Sequence, residues 1–340
     1  RAIDPKGRRV LTSSGPIEFD YLILASGARD AYFGNDRWEA HAPGLKSLEQ
    51  ATEIRRRVLT AYERAETETD PVRQKALLSF VVIGGGPTGV ELAGALGEMS
   101  RFTLVRDFRN IDPTLARVIL IEAGPRILPA FSEKLARRAT RDLERLGVQV
   151  WTSSMVTEID ADGVEIGRER VEAATALWAA GVRASFLGES LGRPLDGQGR
   201  VPVEADLSLA GHPEIFVTGD LARVAGADGE PLPGLAPVAL QQGTFAARAI
   251  LRDLAKKPRG SFRYRDRGSA ATIGRSRAVV AVRGLEFAGF TAWVVWLAIH
   301  IYYLVGFKNR LFVVLQWAWS YLSFRRGARL IVDRERVGPD

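Results

Sequence analysis

Phe80-Val81-Val82-Ile83-Gly84-Gly85-Gly86-Pro87-Thr88-Gly89-Val90-Glu91-Leu92 is the stretch on which the fold of this chain turns. Its opening apolar residues have the length and character of a buried parallel strand. They run into Gly84-x-Gly86-x-x-Gly89 and then into a helical pattern with Pro87 near its first turn. Strand, tight glycine turn and helix in that order make a dinucleotide-binding unit. Each glycine has its own reason: Gly84 permits the sharp turn, Gly86 lets backbone approach a pyrophosphate, and Gly89 lets helix and strand pack closely. The helix start adds free N–H groups and the positive end of its dipole.

A glycine-rich turn alone is common in α/β proteins, so the context decides. The next apolar strand, Arg117-Val118-Ile119-Leu120-Ile121-Glu122, ends in a carboxylate. Glu122 can accept from a ribose 2′-OH and repels a 2′-phosphate, which favours NAD over NADP. It lies further from the glycines than the usual ~20 residues. The polar insert at 99–114, with Arg101, Arg106, Asp107 and Arg109, accounts for the extra length by extending the helix and its loop.

A length of 340 residues allows two domains and a small third piece, and 46% hydrophobic residues allow sizeable cores. The net charge of +7 suits an acidic membrane surface or nucleic acid. No RNA- or DNA-reading motif occurs, so a membrane is favoured and no nucleic-acid partner is expected. The absence of cysteine excludes thiol–disulfide chemistry, Fe–S clusters and thiolate metal sites, so redox work must belong to a bound cofactor. His41, His212 and His300 are too scattered for a metal site. A start at Arg1, without Met or a signal peptide, reads as an N-terminally incomplete sequence.

Upstream, residues 10–17 read as a hairpin around Ser13-Ser14-Gly15-Pro16. Residues 20–28 read as a buried strand ending in small residues, where a ligand or another backbone comes close. A charged amphipathic helix is expected over 48–68, stopped by Asp70-Pro71, with a short helix over 72–77. Downstream, Ser132 caps a helix that Gly147 ends. A strand over 148–151 and a β-meander follow. Leu24-Ala25-Ser26-Gly27-Ala28 is echoed by Trp178-Ala179-Ala180-Gly181-Val182, as two copies of one nucleotide-binding architecture would show. Residues 201–209 alternate as a strand, and 212–220 form an apolar strand ending in Gly219-Asp220. That carboxylate can bind a cofactor polyol or cap a helix. A helix over 238–255 carries Gln241 and Gln242, and Arg263, Arg265 and Arg267 lie in an extended segment.

The tail differs in kind. Residues 287–306 carry no formal charge over twenty residues, long enough to span a bilayer; 311–324 are again apolar and aromatic, closed by Arg325, Arg326 and Arg329. Paired aromatic segments bracketed by arginines suit a helical hairpin lying in the membrane interface. A true span and a soluble dimer-interface hairpin are the alternatives.

On Gly89-Val90-Glu91-Leu92-Ala93-Gly94, Ala179-Ala180-Gly181-Val182, Thr218-Gly219-Asp220 and Ala236-Pro237-Val238-Ala239-Leu240-Gln241, and over essentially its whole length, the chain resembles the type II NADH dehydrogenases. These are single-chain, non-proton-pumping NADH:quinone oxidoreductases. The resemblance implies an α/β flavoprotein with two Rossmann-like dinucleotide-binding domains and C-terminal amphipathic membrane-anchoring helices. FAD would occupy 1–47 with 196–280, NAD(H) would occupy 48–195, and 281–340 would dock on the membrane and receive quinone. It also implies cofactor contacts at Gly84, Gly86, Gly89, Glu122, Ala25, Gly27, Gly181, Gly219, Asp220 and Ala239, with Glu91 near the nicotinamide and Gln241 where flavin and quinone meet. The partners it implies are ubiquinone or menaquinone and the lipid surface at the cytoplasmic face of the cell membrane; a homodimer stays open. Two departures stand out. The family's first glycine turn, for the FAD pyrophosphate, would lie upstream of Arg1. Pro237 stands where the pattern Ala-Gln-x-Ala-x-Gln has its first Gln. Rival readings are a flavoprotein NADH reductase serving a soluble acceptor such as ferredoxin, and a non-catalytic membrane-bound NAD-binding protein lacking flavin.

Overall fold

The computed structural model describes residues 2–227, 229–303, 307–323 and 331. It divides into two compact units: unit 1 is Arg1–Ala31 with Val182–Arg267, and unit 2 is Tyr32–Gly181 with Gly268–Asp340. The boundaries differ from those expected. Residues 32–47 and 268–280 go with unit 2, residues 182–195 go with unit 1, and the described part of the tail groups with unit 2.

Unit 1 opens with an antiparallel sheet of β1 (Ala2–Asp4), β2 (Arg9–Thr12) and β3 (Gly15–Glu18), the expected hairpin plus one strand. β4 (Leu22–Leu24) and β5 (Ala28–Asp30) follow. The chain then enters unit 2 with α1 (Leu48–Thr67), where Ser47 and Gln50 form a capping box and Ile54, Val58, Ala61, Tyr62 and Ala65 are buried. Asp70 caps α2 (Pro71–Leu77) by accepting from Val72 N at 2.9 Å. Next come β6 (Ser79–Ile83), α3 (Pro87–Glu98), β7 (Arg117–Ile121), α4 (Glu133–Arg145) and β8 (Val148–Trp151). The meander of β9 (Val156–Ile159), β10 (Gly163–Ile166) and β11 (Glu169–Glu172) leads into β12 (Thr175–Trp178).

β12, β6, β7 and β8 form one parallel sheet in that order, so β6 is flanked on both sides and every residue of it is buried. The insert at 99–114 extends α3 by a π-helical turn, Met99–Thr103, and ends in a single 3₁₀ turn before β7.

The chain returns to unit 1 with β13 (Val182–Ala184), which pairs with β5, and β14 (Val201–Pro202). β15 (Ser208–Leu209), β16 (His212–Val217), β17 (Ala222–Arg223) and α5 (Ala236–Leu254) complete the unit. The continuous strand expected over 201–209 is broken. Leu207 takes a left-handed φ of 66°, and its N–H bonds Glu204 O at 2.9 Å, which turns the chain between β14 and β15. The strand expected over 20–28 shrinks to β4. Among the described residues β4 pairs with β16, in the order β15-β16-β4, with Leu24 buried and Ile23 exposed on the other face.

Unit 2 closes with an antiparallel sheet of β18 (Ser269–Gly274), β19 (Arg277–Val282) and β20 (Leu285–Gly289), then α6 (Phe290–Tyr303) and α7 (Phe307–Ser323). β18 and β19 join unit 2 because Ala271, Ile273 and Val279 share a core with Val90, Ala93 and Leu96 of α3. The uncharged run at 287–306 is not one helix: its first three residues finish β20, and α6 has 14 residues. At 1.5 Å per residue α6 reaches roughly 21 Å, short of a ~30 Å hydrocarbon core. Among the described residues no helix is long and apolar enough to cross a membrane. Arg325, Arg326 and Arg329 lie outside the described residues.

Candidate active site

The nucleotide turn of unit 2 is built from backbone. Gly84 has φ +110°, and its N–H bonds Ile121 O at 2.7 Å. A Cβ on Gly84 would stand 2.5 Å from Ala180 Cα, and one on Gly89 would run into the Gly84 carbonyl oxygen, so both positions exclude any side chain. Gly86 is different: it is the N-cap of α3, and a Cβ there would meet open space. No side chain caps α3 and a proline stands in its first turn, so first-turn N–H groups are available to a phosphate. This cradle fits a dinucleotide pyrophosphate.

Glu122 is half-buried and engaged. Its Oε2 accepts from Gly85 N and its Oε1 from Gly124 N, both at 2.6 Å, so the carboxylate braces the glycine turn against the loop after β7. Two accepted bonds leave capacity for ribose hydroxyls. Gly181 packs against the exposed ring of Phe33. Glu91 is not an exposed helix carboxylate. Its Oε1 accepts from Thr272 N at 3.1 Å, tying α3 to β18. Burial pushes its carboxyl pKa up, against the lowering effects of that bond and of His300 on α6.

In unit 1 the Gly219-Asp220 turn follows β16, and Gly219 has φ +70°. Buried Gln242 of α5 holds it: Gln242 Oε1 accepts from Gly219 N at 2.6 Å, and the Ala239 methyl lies beside Gly219. The helix-cap reading of Asp220 fails, because α5 is N-capped by Leu235 with no side-chain bond. Among the described residues Asp220 makes no hydrogen bond or ion pair, and it lines a cavity of about 360 Å³ with Ala28, Arg200 and Gly234. Gly27, with φ +66°, has open space around it, and Ala25 is exposed at the end of β4. An unpaired carboxylate, open glycines and an uncapped helix start fit the polyol and ring side of a flavin. Gln241 behaves otherwise than expected. Its Nε2 donates to Arg265 O and its Oε1 accepts from Arg265 N, each at 3.0 Å, so the amide pins the extended segment beside α5. The sequence reading places Gln241 at the site and passes over Gln242. Its signal is the helical spacing of buried Val238, Gln242, Ala246 and Ala249. Among the described residues no cluster of three or more His, Cys, Asp or Glu could hold a metal.

This arrangement defines a nucleotide-dependent flavoprotein class, and the comparisons agree. The family model described as pyridine nucleotide-disulphide oxidoreductase matches residues 2–243. The chain is 44% identical over 329 residues to the type II NADH:quinone oxidoreductase Ndh of Mycobacterium tuberculosis, covering 93% of this chain and 70% of that protein. It is 42% identical to NdhA of the same organism, covering 98% of this chain and 74% of that protein. The solved structure of NDH2 from Plasmodium falciparum in complex with NADH superposes with a TM-score of 0.85 over 98% of this chain and 84% of that one; at 17% identity it bears on the fold alone. The chain belongs to the pyridine nucleotide-disulphide oxidoreductase family and, within it, to the type II NADH:quinone oxidoreductases.

Proposed function

We propose that the chain oxidises NADH at the Gly84–Gly89 turn and reduces a membrane quinone, with FAD as its redox cofactor. The observation that carries this is the backbone cradle at Gly84, Gly86 and Gly89 with the Glu122 carboxylate fixed beside it. FAD, when bound, supplies the two-electron chemistry that a cysteine-free chain cannot provide from its side chains.

The protein's own part is positioning and electrostatics. The α3 start holds the pyrophosphate, and Glu122 takes ribose hydroxyls while keeping the turn closed. Glu91 lies toward the nicotinamide, its carboxyl held by Thr272 N and its pKa pushed up by burial. Asp220 accepts from the ribityl side of the flavin, and Ala25, Gly27 and Ala239 leave room for it. The positive end of α5 faces the same turn and favours negative charge there. Gln242 fixes that turn, and Gln241 acts through Arg265 as a positioning residue.

The quinone, ubiquinone or menaquinone, is reached from the lipid surface at the cytoplasmic face. Support comes from α6 and α7, which expose Phe290, Val294, Phe312, Leu315, Trp317 and Trp319, an apolar and aromatic surface suited to the interface.

The flavin-loaded protein, given NADH with either a water-insoluble quinone or an acidic ferredoxin, should turn over with the quinone. Turnover confined to the ferredoxin would overturn the quinone assignment.

A further inference from the structure

We infer that one face of α4 is a binding surface for the phosphate headgroups of anionic lipids, set beside the aromatic start of α6. The inference rests on the proposed docking of α6 and α7 on a bilayer and adds the chemistry of the lipid.

Lys134, Arg138, Arg141 and Arg145 recur at i, i+4, i+7 and i+11 along α4. That spacing puts all four on one stripe of the helix. Arg277 joins them from the start of β19. Against these five cations stand two carboxylates, Glu98 of α3, which acts on Arg277, and the fully buried Asp142. Arg138 Nε lies 2.8 Å from its Oδ2, Arg145 3.1 Å and Arg277 3.9 Å from its Oδ1. Lys134 and Arg141 have no ion pair among the described residues. The other acids of α4 do not share the stripe: Glu133 pairs with Arg137, and Glu144 falls roughly a quarter of a turn from its centre. β20 brings one carboxylate, Glu286, three residues from its Gly289 end.

An exposed helix kept only for solubility mixes its signs, and α1 does so, with Glu53 taking up both Arg56 and Arg57. The α4 stripe leaves most of its charge uncompensated. Its position matters as much as its sign. The Arg138 guanidinium lies beside Gly289, the last residue before α6, and Gly289 pairs with Ala278, next to Arg277. There α6 begins with exposed Phe290, its ring stacked at 5.9 Å on Trp293. Guanidinium groups that share one carboxylate keep N–H donors free, and their forked geometry matches a phosphate. Cations flanking an aromatic, apolar helix are what an anionic bilayer surface attracts.

The test is co-sedimentation of the flavin-loaded chain with vesicles of phosphatidylcholine alone and of phosphatidylcholine mixed with phosphatidylglycerol. Wild-type protein should partition more strongly into the mixed vesicles. Arg138→Gln with Arg141→Gln, which leaves Arg145 and Arg277 on Asp142, should lower that partition roughly 5-fold per removed charge, about 25-fold together, with neutral vesicles unaffected. Asp142→Asn, which frees the cations, should raise it. If the first pair lowers the melting temperature, Lys134→Gln with Arg141→Gln touches no ion pair and carries the same expectation. A mixed-vesicle partition unchanged in the folded double variants overturns the headgroup inference and leaves docking by α6 and α7 standing. Wild-type protein that binds neither vesicle overturns the docking reading itself.

Discussion

The end of β6 in unit 2 and the ends of β4 and β16 in unit 1 share a sequence signature, small residues and glycine after an apolar strand, yet they differ in build. In unit 2 the glycines are required by packing: Gly84 touches Ala180 backbone, and Gly89 sits on the Gly84 carbonyl. In unit 1, Gly27 and Gly219 have left-handed φ angles but little around them, and order at the turn comes from one side chain, Gln242. One site is held by backbone contact inside a sheet paired on both sides. The other is held by a hydrogen bond from a helix side chain to the turn after β16. A shared motif therefore carries different tolerance to mutation.

Gly89→Ala should have the largest effect. Its methyl must displace the Gly84 carbonyl, at a cost on the order of 3–5 kcal/mol in urea unfolding, with loss of NADH binding. Gly27→Ala should cost only about 1–2 kcal/mol, the strain of a left-handed alanine. Equal losses at the two positions would erase the contrast. Gln242→Leu should come next, costing about 1–3 kcal/mol by leaving the Gly219 N–H without its acceptor, and it should reduce flavin retention. Gln241→Leu, at a less buried position, should do less to flavin content.

Much of this was legible in sequence, and the exceptions have physical causes. The Gly84–Gly89 turn is written in residues whose absent Cβ is the function, so pattern alone finds it. The helix limits at Ser47, Asp70 and Ser132 are capping residues with local bonds and are equally readable. Hydropathy cannot show that 287–289 belong to β20, because a strand pairing with β19 and a helix lying on lipid both call for apolar residues. Nor can it assign β18 and β19 to unit 2, since their partner α3 lies some 180 residues earlier, as the Glu91–Thr272 bond shows. Gln242 was readable by helical period, but a polar residue on a buried stripe shows its purpose only when Gly219 is placed against it.

Smaller effects are expected at two carboxylates of unit 2. The folded-state pKa of Glu91 is raised, so its charge costs stability as pH rises through that range, and Glu91→Gln removes the cost while keeping an acceptor for Thr272 N. The variant should melt no lower than wild type at neutral pH, keep its flavin and oxidise NADH more slowly. Lost flavin with normal turnover would contradict its role. Glu53 is shifted the other way, from 4.5 to about 2, first by its hydrogen bond to Arg56. Its contribution is present above pH 4.5 and lost as pH falls toward 2, so Glu53→Gln should flatten acid unfolding in that window.

The most direct measurement is NADH binding to Gly86→Val. Gly86 has φ −69° and no atom within 4 Å of where a Cβ would stand, so the protein itself can take the side chain. If the NADH pyrophosphate lies against that backbone, the melting temperature should stay within about a degree or two of wild type. NADH affinity should fall roughly tenfold to a hundredfold. A folded Gly86→Val protein that binds NADH as tightly as wild type would contradict the placement of the electron donor at this turn.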